Sequence, residues 1–175
     1  MLTLLVVLII LAAALIGWIG TRSNTFRVER ATRIAAPPEK VFPLINDFHR
    51  WTAWSPWEKR DPAMKKAYGG PESGRGATYE WDGNNKVGKG RMEIVETSAP
   101  RRVTVKLDFL KPFEGHNTAE FTLQSEDGFT HATWAVYGPN QMMAKVMSLF
   151  ISMDKLMGKD FEEGLANLKK VAEAS

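Results

Sequence analysis

The chain opens on an unbroken apolar run, continues in short alternating stretches and closes on a helical repeat. Residues 2–19 read LTLLVVLIILAAALIGWI, with Thr3 the only clearly polar side chain. As a helix this run reaches roughly 27 Å, close to the roughly 30 Å hydrocarbon core of a bilayer. Trp18 falls where an indole favours the interface, and Arg22 follows it into water. No Lys or Arg precedes the run, and Gly17-Trp18-Ile19-Gly20 is a poor cleavage site. A retained transmembrane anchor over residues 1–21 is therefore expected, rather than a cleaved signal peptide. Arg22, Arg27, Arg30, Arg33 and Lys40 follow the anchor, so the positive-inside rule places a single-pass protein with its domain, residues 22–175, on the cytoplasmic side.

Beyond the anchor the period drops to two. Residues 26–34 place Phe26, Val28, Arg30, Thr32 and Ile34 on one face of a strand. Ala36-Pro37-Pro38-Glu39 then opens a helix, since proline suits a first turn, with Val41, Phe42, Leu44, Ile45 and Phe48 on its apolar side. Residues 50–61 read as a short helix or loop. Six further strands follow, over residues 64–68, 77–82, 87–97, 102–110, 117–124 and 130–137. Their inward sets include Ala77, Tyr79 and Trp81; Met92 and Ile94; Val103, Val105, Leu107 and Phe109; Ala119, Phe121 and Leu123; and Ala132, Trp134 and Val136. Short connections, such as the turn at Glu126-Asp127-Gly128, predict an antiparallel meander. A long helix over residues 141–172 carries Met142, Val146, Leu149, Phe150, Met153, Met157, Phe161, Leu165 and Leu168 at helical spacing. A sheet with one apolar face needs a cover, and this helix supplies it. The fold class is α+β.

Composition narrows the function. The 23 basic and 20 acidic residues leave a net charge of only +3, with no dense basic stripe, which argues against nucleic-acid binding. The absence of cysteine excludes disulfides, thiol catalysis and Cys-ligated zinc. Strand parity places His116, His131, Glu80, Glu93, Glu96, Asp108 and Glu120 on polar faces. His49, beside Asp47, reads as a solvated loop residue. No convergent acid–base pair and no metal-ligand cluster is expected in the interior, so no catalytic residue, metal or cofactor is assigned. Catalysis would require such groups in a cavity.

The interior is aromatic and thioether-rich. Tyr79, Trp81, Phe109, Phe121 and Trp134 come from strands, and Met153, Met157 and Phe161 from the last helix. Five of the eight methionines lie between Met142 and Met157, and methionine suits surfaces that fit variable apolar partners. The same periodicity describes a filled core. Trp51, Trp54 and Trp57 recur every three residues, as a structural corner or as a lid that would add Trp54 to a ligand's contacts. Gly158 and Gly164 each cost roughly 1 kcal/mol against alanine inside a helix; they allow close approach to the sheet, or room for a ligand.

Several words of the sequence resemble the SRPBCC superfamily of START and Bet v 1-like domains, in its polyketide cyclase/dehydrase-like branch. They are Ile34-Ala35-Ala36-Pro37-Pro38-Glu39-Lys40-Val41-Phe42, Trp51-Thr52-Ala53-Trp54-Ser55-Pro56-Trp57, Gly74-Arg75-Gly76-Ala77-Thr78-Tyr79-Glu80-Trp81, Thr130-His131-Ala132-Thr133-Trp134 and Phe161-Glu162-Glu163-Gly164-Leu165-Ala166-Asn167-Leu168-Lys169. The resemblance implies a helix-grip fold, in which a curved seven-stranded antiparallel sheet wraps a C-terminal helix around a cavity. It implies an apolar small molecule or lipid as partner, held by Trp54, Tyr79, Trp81, Phe109, Phe121, Trp134, Met153, Met157 and Phe161. The alternatives are a cyclase/dehydratase-like enzyme and an interaction domain with a filled core.

Overall fold

The computed structural model describes residues 23–139 and 153–174, together with positions 10, 17 and 20. The expected anchor otherwise lies outside the described residues. Among those described, no helix is long and apolar enough to cross a membrane.

Strand β1 (Thr25–Ile34) leads into helix α1 (Pro38–Asn46), a 3₁₀ turn (Phe48–Ala53) and the short helix α2 (Pro56–Arg60). Strands β2 (Lys65–Gly69), β3 (Thr78–Asp82), β4 (Lys89–Ser98), β5 (Arg102–Lys111), β6 (Gly115–Glu126) and β7 (Phe129–Pro139) follow, and helix α3 (Met153–Glu173) closes the chain. The seven strands form one sheet in the order β1-β7-β6-β5-β4-β3-β2, and every pair is antiparallel. This is the α+β arrangement of a helix-grip fold. α3 is described from Met153; the earlier part of the expected helix, with Met142, Val146, Leu149 and Phe150, lies outside the described residues.

Side-chain alternation sets the layers. Tyr79, Trp81, Met92, Ile94, Val103, Val105, Leu107, Ala119, Phe121, Leu123, Ala132, Trp134 and Val136 are buried on one face, as the period of two requires. The alternation fails in β4 after Ile94, where a register shift between Ile94 and Glu96 leaves Glu96 and Ser98 exposed at positions that the period of two would turn inward; a bulge of this kind re-aims the residues that follow it. β2 differs from its neighbours in being exposed throughout, a short lysine-bearing edge strand of the kind that discourages further pairing.

The tryptophan segment is in part a corner. Trp51 Nε1 donates to the Ile45 carbonyl at 2.9 Å, and Trp54 Nε1 to the Leu44 carbonyl at 2.9 Å. Two indoles thus satisfy carbonyls that the end of α1 leaves without helical partners. The Trp54 carbonyl in turn accepts from Asn167 Nδ2 of α3 at 3.2 Å, and Arg60 forms an ion pair with Asp160. These contacts fix α2 between α3 and the sheet.

Candidate functional site

Between the inner face of the sheet, α2 and α3 lies a cavity of about 90 Å³. Its walls are mostly apolar. Tyr79, Trp81 and Phe109 line it from the sheet, Met157 and Phe161 from α3, and Trp134 from β7. These are six of the nine expected contacts. Trp54 and Phe121 do not reach the space. Both are buried, and they support the wall: Phe121 stacks on Trp134 with ring centroids 5.0 Å apart, and Trp54 meets Trp134 edge-on at 5.7 Å. Parity put Phe121 on the correct face, but it cannot say which inward residues touch the space and which stand behind it. The side chain of Met153 lies outside the described residues.

Trp134 is the centre of this wall. Phe161 stacks on its other face at 4.4 Å with an interplanar angle of 11°. A Cβ on Gly164 would stand 2.8 Å from Trp134 Cζ3 and 3.2 Å from Pro56 Cδ, so the absent side chain lets α3 come down onto the indole. Trp51, Trp54 and Trp81 each donate to a backbone carbonyl. Trp134 Nε1 is the one buried polar side-chain atom, among the described residues, with no hydrogen-bond partner. Trp54 and Trp57 meet the Trp134 ring edge-to-face, with centroids 5.7 and 5.6 Å away and interplanar angles of 82°.

Sequence reading missed one ionisable feature of the wall. Glu58, one residue after Trp57 in α2, lines the cavity. Its carboxylate accepts a hydrogen bond from the Tyr79 hydroxyl at 3.0 Å and pairs with Lys66 of β2. The expectation of an interior without converging ionisable groups is therefore corrected: a carboxylate, a phenol and an ammonium meet at the cavity's edge. Burial, then the charge of Glu58 and its hydrogen bond, push the Tyr79 phenol well above its ordinary pKa, so it stays a proton donor. The available signal was Trp57-Glu58 directly after Pro56, where a one-turn helix aims adjacent residues in different directions.

The other ionisable groups keep to the outside. His49 hydrogen-bonds Asp47 at 2.9 Å and stacks on Tyr68 at 4.2 Å. His116 contacts Asp108 at 2.7 Å on the outer face of the sheet. Burial works to raise the Asp108 pKa, but hydrogen bonds from His116 and Lys106 outweigh it and leave the carboxyl below its usual range. His131 is exposed. Among the described residues no group of three His, Cys, Asp or Glu side chains is placed to hold a metal ion.

The geometry presents a small apolar space with a carboxylate–phenol pair at its edge. The comparisons agree with the fold. The di-domain ARO/CYC BexL from the BE-7585A biosynthetic pathway superposes with a TM-score of 0.61 at 18% identity, covering 91% of this chain and 54% of that one. Protein MLL2253 from Mesorhizobium loti gives 0.60 at 15% identity, covering 86% and 98%. The Aha1 dimer from Colwellia psychrerythraea gives 0.59 at 15% identity, covering 85% and 96%. At these identities the likeness is one of fold. No curated protein sequence matches the chain significantly. The family model described as polyketide cyclase / dehydrase and lipid transport matches residues 25–173. The chain belongs to that family.

Proposed function

We propose that the protein is a binding domain for a compact apolar molecule, tethered to a membrane by residues 1–21 and carrying its binding domain, residues 22–175, on the cytoplasmic side. The observation that carries this reading is the aromatic and thioether wall around an unfilled space of about 90 Å³. An apolar cavity of roughly 150 Å³ takes up benzene, so a ligand of that size or larger requires the wall to yield. Met157 and Trp57, which are only partly buried, are the side chains able to move. Tyr79, Trp81, Phe109, Trp134, Met157 and Phe161 are the proposed contacts, with Trp54 and Phe121 in support and Met153 proposed from its helical spacing as a further contact. The anchor rests on the uncharged run of residues 2–19.

Native mass spectrometry of the full-length protein after gentle purification tests binding. An apolar adduct that disappears in Met157→Trp is expected; a bare mass in both proteins counts against the reading. Carbonate washing tests the anchor: full-length protein stays in the membrane pellet, and mature protein beginning near Thr21 contradicts it.

A second reading, a cyclase/dehydratase-like enzyme, is favoured by Glu58. A carboxylate held by Tyr79 and Lys66 at an apolar wall is placed to take a proton from a bound molecule. Glu58→Gln separates the two: an enzyme loses turnover on its substrate, whereas a binder retains its ligand.

A further inference from the structure

We infer that the hairpin tip between β5 and β6 is a membrane-contacting surface through which the cavity meets the lipid bilayer. This rests on the proposed N-terminal anchor. Phe113 and Leu110 are 63% and 48% exposed, the two most exposed large apolar side chains of the described domain. They flank Lys111-Pro112 at the end of β5, and Lys111, Pro112 and Lys86 nearby are exposed as well.

Strand register places this tip at the same end of the sheet as Thr25, the strand end nearest the proposed anchor. Thr25 pairs with Pro139, Tyr137 with Thr118, and His116 with Asp108. Extending the β6–β7 register by two residues sets His116 opposite Pro139. One row of residues therefore crosses β1, β7, β6 and β5, and residues 110–113 project just past its end. Three strand spacings put the tip about 14 Å sideways from Thr25. The five residues from Gly20 to Thr25 span at most about 18 Å. A chain leaving the bilayer near Gly20 thus holds this end of the sheet, and the tip with it, within reach of the headgroups. Two apolar side chains beside lysines suit that layer.

The tip is also continuous with the cavity wall. Phe109, next to Leu110, lines the space, and so does Val87. The Val87 carbonyl accepts from Trp81 Nε1 at 3.0 Å. Gly88, at φ +67, leaves room for the Lys111 carbonyl, which a Cβ would meet at 2.3 Å, and stands in contact distance of Pro112. The base of the tip is thereby seated on the turn that forms one wall, and Phe113 is turned outward. A bilayer receiving Phe113 lies against this end of the cavity, which makes membrane lipid or a molecule dissolved in it the source of ligand.

The chain has no cysteine, so single cysteines report cleanly. Phe113→Cys and Leu110→Cys, each made in the full-length protein and labelled with the fluorophore NBD, are reconstituted into phosphatidylcholine vesicles with and without phosphatidylserine. Ser125→Cys, at the opposite end of the sheet, is the control. Blue-shifted, brighter emission shielded from aqueous iodide at positions 113 and 110, with water-like emission at 125, is expected. Water-like emission at all three sites in protein that floats with the vesicles overturns the inference and leaves the anchor standing. Protein that does not float with the vesicles overturns both.

Discussion

Trp134 combines two roles that sequence periodicity cannot tell apart. It is 2% exposed and clasped between Phe121 and Phe161, yet it also lines the cavity. Trp134→Ala removes both stacking partners' contacts and should cost about 3–5 kcal/mol in denaturant unfolding; a change within about 0.5 kcal/mol would contradict the packing described. Its unpaired indole N–H, a buried donor without an acceptor, puts the expected cost at the lower end of that range. Gly164 offers a sharper test because two effects oppose each other. Helix propensity alone makes Gly164→Ala stabilising by about 1 kcal/mol. The added methyl meets a rigid ring at 2.8 Å, and overpacking costs about 1–3 kcal/mol. A net loss of stability is expected, and a net gain would show that α3 does not sit so close to the indole. Alternation placed Trp134, Phe121 and Tyr79 inward correctly, and helical spacing did the same for Phe161. It could not find Glu58, whose position depends on how α2 is clamped by Arg60–Asp160 and the Trp54 carbonyl, contacts between segments about 100 residues apart.

At the scale of elements, α3 is clipped to the sheet by charges at both ends. Arg30 of β1 donates to both oxygens of Asp154, at 2.7 and 3.0 Å, and to Glu162 at 2.8 Å. Near the other end the Ala35 N–H donates to Glu173 at 2.6 Å, and Lys169 reaches the Arg33 carbonyl at 2.7 Å. Hydrogen bonds from Arg30 hold the Asp154 carboxyl below its usual range, and those from Lys169 and then Ala35 do the same for Glu173. A depressed carboxylate contributes its stability above its unfolded pKa and loses it as pH falls through the folded one. The clips should therefore be intact from neutrality down to about pH 5 and be lost below about pH 4. Unfolding measured across that range should show an acid limb that Arg30→Gln flattens; an unchanged limb in the variant would place the sensitivity elsewhere. The strands and the covering role of the last helix were legible because their apolar periods are long and clean. The β4 register shift was not, since a bulge adds a residue without altering composition.

For the whole molecule, the sheet, α2 and α3 close around a space that the core does not fill. The filled-core alternative and the ligand site make opposite predictions for added bulk. Family resemblance supplied the expectation of a cavity; hydrophobic pattern alone describes a packed interior equally well, because a wall and a core present the same inward residues. The membrane reading belongs to the same scale, since Thr25, the strand end nearest the proposed anchor, and the exposed tip at Phe113 lie at one end of the sheet by strand register. The most direct measurement is denaturant unfolding of the wild type and of Met157→Trp, each with and without a small apolar probe. At one hundred times its dissociation constant, a probe that binds only the folded state raises wild-type stability by about 2.7 kcal/mol. Met157→Trp should itself escape the roughly 1–3 kcal/mol cost of an overpacked core and gain nothing from the probe, because the indole enters existing room. No stabilisation of the wild type at any probe concentration, with Met157→Trp destabilised by the roughly 1–3 kcal/mol of an overpacked core, would contradict the ligand site.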